Sequence, residues 1–204
     1  NGLTITPAAN DSTDFTLSVT VTATEADGGD QAVATGEIFV DVSADADAPV
    51  LTLTDAVGNE DTAIPLDITA TLPDESEVLS LSISGIPDGA VLTVTNPAGN
   101  PVQVTVVDGG AKIPNGLVGG DIAITPPADS ADDFQLTVTA TAKDGGSIAT
   151  TQGTMNVTVQ GVADGAVVTD TVATGLEDTL IPITVDVAEL DTDGSETLSV
   201  TLSN

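Results

Sequence analysis

Phe15-Thr16-Leu17-Ser18-Val19-Thr20-Val21-Thr22 sets apolar side chains on one face of an extended chain and hydroxyls on the other. Successive side chains of a strand point to opposite faces, so a period of two predicts a half-buried β-strand. Glu37-Ile38-Phe39-Val40-Asp41-Val42, Leu79-Ser80-Leu81-Ser82-Ile83 and Leu136-Thr137-Val138-Thr139 read the same way. Val, Ile and Thr are stiff at χ1 and fit a pleated surface. Turn signals separate these runs: Pro87-Asp88-Gly89, Asn96-Pro97, Asp108-Gly109-Gly110, Pro114-Asn115-Gly116 and Asp144-Gly145-Gly146. No segment sustains a helical period, and the chain is expected to be all-β.

An internal repeat sets the expected organisation. Ile5-Thr6-Pro7-Ala8-Ala9-Asn10-Asp11-Ser12-Thr13-Asp14-Phe15 returns 119 residues later as Ile124-Thr125-Pro126-Pro127-Ala128-Asp129-Ser130-Ala131-Asp132-Asp133-Phe134. Val21-Thr22-Ala23-Thr24 with Asp27-Gly28-Gly29 returns at an offset of 117, and so does Glu60-Asp61-Thr62-Ala63-Ile64-Pro65, as Glu177-Asp178-Thr179-Leu180-Ile181-Pro182. A unit of about 117 residues is the size of one domain. Asp45-Ala46-Asp47-Ala48-Pro49 and its counterpart Gly161-Val162-Ala163-Asp164-Gly165 are the expected boundaries. On this frame residues 1–47 are the C-terminal part of one unit, 48–164 a complete unit and 165–204 the N-terminal part of the next. About seven short strands per unit, all antiparallel, point to tandem immunoglobulin-like β-sandwiches.

Composition narrows the function classes. The 204 residues hold 32 Asp plus Glu against two basic residues, Lys112 and Lys143, for a formal net charge of −30. Such a chain repels phosphate backbones and anionic lipid, so neither nucleic acid nor a membrane surface is an expected partner. The 40% hydrophobic content, arranged in alternating runs, argues against disorder. Cysteine, histidine, tryptophan and tyrosine are absent. Disulfides, thiolate and imidazole chemistry, and zinc sites built on His or Cys are therefore excluded. No apolar run is long enough for a transmembrane helix. The first residues carry no basic region and look like a strand, so the chain reads as an excerpt of a longer protein with any secretion signal elsewhere.

Carboxylates are the only abundant ionisable groups, and they suit oxygen ligation of a hard cation such as Ca²⁺. Aliphatic cores of Val and Ala are thin, and self-repulsion of the carboxylates opposes compaction; a bound cation would relieve both. Asp191-Thr192-Asp193-Gly194-Ser195-Glu196 alternates carboxylates around a tight turn, as calcium loops do, although its strand-like flanks exclude an EF-hand. Pro73-Asp74-Glu75-Ser76-Glu77 is the shorter counterpart and lacks the Gly. Asp and Gly are also ordinary residues of solvated turns, a plainer explanation for any single loop. In a sandwich, however, Asp191–Glu196 would be a B–C loop, and Asp27-Gly28-Gly29-Asp30 and Asp144-Gly145-Gly146 would be F–G loops. The E–F loops Asn10–Asp14 and Asp129–Asp133 would face the next linker. Carboxylates would then gather at each junction, where only a cation offsets their repulsion. Gly109-Gly110 and Gly119-Gly120 are turns rather than phosphate loops, since no helix or Lys follows in register.

Taken in order, Leu3-Thr4-Ile5-Thr6-Pro7, Ala46-Asp47-Ala48-Pro49, Asn59-Glu60-Asp61-Thr62, Ser84-Gly85-Ile86-Pro87-Asp88-Gly89-Ala90, Asp144-Gly145-Gly146 and Leu190-Asp191-Thr192-Asp193-Gly194-Ser195-Glu196-Thr197-Leu198-Ser199 give the chain a family look. It resembles the repeat modules of giant RTX adhesins exported by type I secretion. The resemblance implies immunoglobulin-like or cadherin-like extender domains at the bacterial cell surface, strung in tandem, rigidified by calcium and holding an adhesive tip outward for attachment and biofilm formation. It also implies a C-terminal secretion signal and glycine-rich calcium repeats, neither of which this stretch contains. The Pro73–Glu77 loop departs from the pattern. The candidate calcium ligands are Asp27, Asp45, Asp47, Glu60, Asp74, Glu77, Asp129, Asp132, Asp144, Asp164, Glu177, Asp191, Asp193 and Glu196.

The expected role is a spacer without catalysis, its partners being neighbouring repeats of the same chain, with head-to-tail self-association between copies as a further expectation. The alternatives are a directly sugar- or protein-binding module and, third, a carboxylate glycosidase. The scarcity of aromatics, only Phe15, Phe39 and Phe134, counts against both.

Overall fold

The structure is a computed structural model and describes residues 2–190, 194 and 196–203. The described residues form fifteen strands and one short 3₁₀ turn, Asn115–Leu117. No helix among them is long and apolar enough to cross a membrane. The expectation of an all-β chain holds.

β1 (Phe15–Thr24) and β2 (Gln31–Val40) pair only with one another, in an antiparallel ladder running from Phe15↔Val40 to Thr24↔Gln31. The middle of the chain supplies β3 (Val50–Thr54), β4 (Ala56–Asn59), β5 (Ile64–Thr71), β6 (Val78–Ser84), β7 (Val91–Thr95) and β8 (Pro101–Val104). It continues with β9 (Val106–Val107), β10 (Gly110–Ile113), β11 (Ile122–Thr125), β12 (Phe134–Asp144) and β13 (Ser147–Gln160). These build a six-stranded sheet of order β4-β13-β12-β6-β10-β9 and a five-stranded sheet of order β3-β5-β11-β7-β8. β14 (Ala166–Thr169) and β15 (Asp186–Glu189) form a separate antiparallel pair.

This arrangement corrects the expected tandem immunoglobulin-like sandwiches of about 117 residues. The sheets do not repeat along the chain and do not close into a sandwich. The pairing is not uniformly antiparallel either, because β4 runs parallel to the end of β13, with Ala56 opposite Val157 and Asn59 opposite Gln160. By close contacts the chain divides into two compact units. One compact unit takes Asn1–Val50 with Thr71–Leu79 and Thr141–Thr151; the other takes Leu51–Ala70, Ser80–Ala140 and Gln152–Asn204. Period-two alternation states that a segment is extended and which face is apolar. It does not name the strand's partner, which long-range packing decides.

The repeat survives in local geometry. Asn10 and Asp129 are both left-handed, with φ of 59° and 54°, and so are Asp61 and Asp178, at 55° and 58°. Asp14 Oδ1 accepts the Val42 N–H, and Asp133 Oδ1 accepts the Val159 N–H, each at 2.8 Å. Thr62 and Thr179 each donate the hydroxyl to the carbonyl three residues back, that of Asn59 and of Leu176. Asn and Asp tolerate the left-handed region better than other side chains and bond their own turns, so the same short sequence rebuilds the same turn wherever it stands.

The second unit holds an aliphatic core. Ile64, Ile83, Leu92, Ile124, Leu136 and Met155 are its largest fully buried side chains. Their alternate positions on β5, β6, β7, β11, β12 and β13 are those that the period-two pattern assigns inward. Gly85 marks where the chain leaves β6: its φ is +83°, and a Cβ there would stand 2.4 Å from the Gln135 carbonyl oxygen.

Asp55, between β3 and β4, ties that corner to β13. It accepts the Asn156 backbone N–H at 2.7 Å and the Asn156 amide at 3.2 Å. These two bonds, the backbone one first, hold its carboxyl below the ordinary 3.8. A folded value below the unfolded one means that the contribution is complete above 3.8 and is lost as pH falls through the folded value. In denaturant titrations with chelator present, Asp55→Ala should be less stable than wild type at neutral pH, and the gap should close below about pH 3.8. A gap that stays constant down to pH 2 would rule out this carboxylate as an acid-sensitive tie.

Candidate metal centre

The turn that ends β4 builds the floor of the site. Glu60 donates its N–H to the Gln160 carbonyl at 3.0 Å, next in line after the parallel pairing of β4 with β13. Its side chain then folds under the segment that follows β13, and Oε1 accepts the Val162 N–H at 2.6 Å. Glu60 is only 2% exposed, and Oε2 is buried without a hydrogen-bond partner. A Cβ on Gly161 would lie 3.6 Å from both Glu60 Oε1 and the Ala131 methyl, so three chain segments meet over this carboxylate.

Each segment brings an aspartate. Asp61, left-handed and exposed, accepts the Asp129 N–H on Oδ1 at 3.1 Å. The Asp129–Asp133 loop is pinned at its far end by the Asp133–Val159 bond. Asp164, three residues past Gly161, donates its N–H to Glu196 Oε1 at 2.6 Å. One carboxylate oxygen each of Asp61, Asp129 and Asp164 lies within 4.8 Å of the others. Like charges at that separation repel by about 1 kcal/mol per pair in water and about 3 kcal/mol at an effective dielectric of 20. The chain has only two basic residues with which to offset such repulsion. Oxygen donors alone, converging on one point beside a buried carboxylate with an unused oxygen, fit a hard divalent cation.

The sequence-derived candidates separate accordingly. Asp129 and Asp164 come together here with Asp61, Glu60 is buried under the segment that leads to Asp164, and Glu196 supports Asp164. Asp61 was not among the candidates; its signal was the Glu-Asp-Thr triplet that recurs at Glu177, read as a repeat marker rather than as a ligand source. Asp132 is exposed and Asp144 half-buried, and Glu177 and Asp27 are exposed; none of the four joins a three-carboxylate group among the described residues. Asp45 accepts the Ser147 hydroxyl at 3.1 Å. Asp47, Asp74 and Glu77 lie together in the other compact unit. Asp191 and Asp193 lie outside the described residues.

No family profile matches the chain, and no curated protein does. Among solved structures the chain is similar to an endo-fucoidan hydrolase from glycoside hydrolase family 107, at 20% identity over 85% of this chain and with a TM-score of 0.29. The chain spans 21% of that protein's length. A likeness this slight carries no argument about fold or activity.

Proposed function

We propose that the chain is a calcium-stabilised structural segment of a longer extracellular adhesion protein, a spacer that carries binding functions rather than performing chemistry. The observation that supports this reading is the convergence of Asp61, Asp129 and Asp164 beside the half-satisfied Glu60. Calcium is the expected ion because every donor is an oxygen, and extracellular sites work at the high free calcium found outside cells. A concavity of about 880 Å³ is lined by residues such as Ile86, Pro87, Gln103 and Val106, none of them aromatic. The strong negative charge suits a surface-displayed protein that must stay soluble and avoid collapsing onto its neighbours.

Thermal unfolding of the whole chain tests the proposal. An ion held at about 100 times its dissociation constant stabilises the folded chain by about 2.7 kcal/mol. For a chain of this size that is a rise of about 5–10 °C in melting temperature on adding calcium to chelator-treated protein. Asp164→Asn should remove most of that rise while melting normally in chelator. Equal melting temperatures in calcium and in chelator would end the calcium reading and reduce these loops to solvated turns.

A further inference from the structure

The β1–β2 hairpin leaves bare a face that the chain buries elsewhere. Leu17, Val19 and Val21 on β1 stand opposite Ile38, Gly36 and Ala34 on β2, so these six residues share one face. Val21 is 60% exposed and Ile38 52%. At the repeat offset the matching strands are β12 and β13: Leu136, Val138 and Ala140 match the β1 positions, and Met155 matches Ile38. All four of those side chains are buried. In the six-stranded sheet β6 lies beside β12 and β4 beside β13. β1 and β2 have no such neighbours among the described residues.

The counterparts of β6 and β4 stand later in the sequence. Leu198-Ser199-Val200-Thr201-Leu202 matches Leu79-Ser80-Leu81-Ser82-Ile83 of β6, and Ala173-Thr174-Gly175-Leu176 matches β4. Neither stretch belongs to a strand. No complete sheet recurs along one chain, yet the pieces around these stretches do. β14 and β15 pair at the positions of β3 and of the end of β5, which are neighbours in the five-stranded sheet. A Cβ on Gly58 would stand 2.6 Å from the Ile64 side chain, and one on Gly175 2.5 Å from that of Ile181. Glu77 Oε1 accepts the Asp47 N–H, and Glu196 Oε1 accepts the Asp164 N–H. Val168, Val187, Leu198, Val200 and Leu202 line an open groove of about 300 Å³. Val200 and Leu202 are exposed there, whereas their counterparts Leu81 and Ile83 are buried.

We propose that this groove takes the β1–β2 hairpin of a second copy of the chain. Its β1 lies beside residues 198–202 as β12 lies beside β6, and its β2 beside residues 173–176 as β13 lies beside β4. The contact joins two different surfaces, and each docked copy offers both again, so the product is an open linear assembly. A stable interface takes about 20–30 residues a side, and the hairpin brings 10 from each strand. Docking also closes strand edges that a single chain leaves unpaired. Copies with a net charge of −30 repel one another, so the assembly forms in concentrated protein and both faces stay bare in dilute solution. The contact is apolar, needs no ion and is independent of the calcium reading.

Sedimentation velocity on the whole chain in chelator, from about 1 µM to about 1 mM, tests this. The weight-average mass should rise beyond that of two chains. It should rise more steeply when salt goes from about 0.1 M to about 1 M, which shortens the screening length from about 10 Å to about 3 Å. Val21→Asp and Leu202→Asp each bury a charge in the contact and should weaken association by about 100-fold or more. Both side chains are exposed in the single chain, so far-UV circular dichroism should be unchanged. Ile38→Asp repeats the hairpin test if Val21→Asp does not fold. Mixed one to one, Val21→Asp and Leu202→Asp should form a dimer that grows no further, because each supplies the surface the other lacks. A wild type that stays a single chain at every concentration would overturn the proposal and leave both faces to a different partner. Association that survives both variants would overturn it too, and so would a mixture of the two that stays monomeric.

Discussion

Truncating Leu136 to alanine is expected to lower the free energy of unfolding by about 2–5 kcal/mol, the cost of a buried cavity plus the lost transfer energy. Leu136 is fully buried on β12, between β13 and β6 in the six-stranded sheet. The next inward positions along β12 are Val138, Ala140 and Ala142, all short side chains. These inward neighbours along the strand are too stiff or too short to fill the gap, which places the cost in the upper part of that range. The melting temperature should fall by on the order of 10 °C. Because the loss is one of packing, it should be nearly the same with calcium and with chelator. Leu202→Ala and Leu180→Ala provide the contrast: these side chains are 68% and 100% exposed, and each change should stay within about 0.5 kcal/mol. A loss at Leu202 as large as that at Leu136 would show that the C-terminal segment packs against apolar surface in solution.

The contrast between these leucines also shows how far the sequence could be read. Both sit in alternating runs, Leu136-Thr137-Val138-Thr139 and Leu198-Ser199-Val200-Thr201-Leu202, and the pattern is as clean in one as in the other. Alternation reports the local pleat, and only the first run finds a sheet to bury its apolar face. The same limit explains the failure of the tandem-sandwich expectation. A repeat offset of 117 to 119 residues specifies turns such as those at Asn10 and Asp129, whose conformation depends on a few adjacent residues. Strand pairing depends on distant segments, and the parallel match of β4 with the end of β13 leaves no local signature in Ala56-Val57-Gly58-Asn59.

The candidate site was legible in proportion to how local its geometry is. Acidic residues in the Asp129 loop and at Asp164 are visible as charge placed in turns between strands. That Glu60 is buried while Glu177, its counterpart in the repeat, is exposed follows from the pairing of β4 with β13. Asp27 and Asp144 show the converse: they too are acids beside Gly-Gly turn signals, but neither joins a three-carboxylate group among the described residues.

Replacing Glu60 by glutamine should have opposite effects on stability in the two calcium conditions, and this reversal is the sharpest test of what its buried carboxylate does. Without an ion, Glu60 keeps a charged group 98% removed from solvent, with one oxygen bonded to the Val162 N–H and the other unpaired. An unsatisfied buried polar atom costs about 1–3 kcal/mol, more when charged. Glutamine retains an acceptor for Val162 and removes the charge, so in chelator Glu60→Gln should be more stable than wild type by about 1–2 kcal/mol. With calcium at about 100 times the wild-type dissociation constant, wild type gains about 2.7 kcal/mol from the ion. A variant whose affinity is about 100-fold weaker gains less than about 0.5 kcal/mol, which reverses the order. Paired urea titrations in calcium and in chelator measure both differences on the same chains. The crossing of the two stability orders is what a metal-facing carboxylate produces. A glutamate serving only as a hydrogen-bond acceptor for Val162 would instead give Glu60→Gln the same offset from wild type in both conditions, and that result would remove Glu60 from the site.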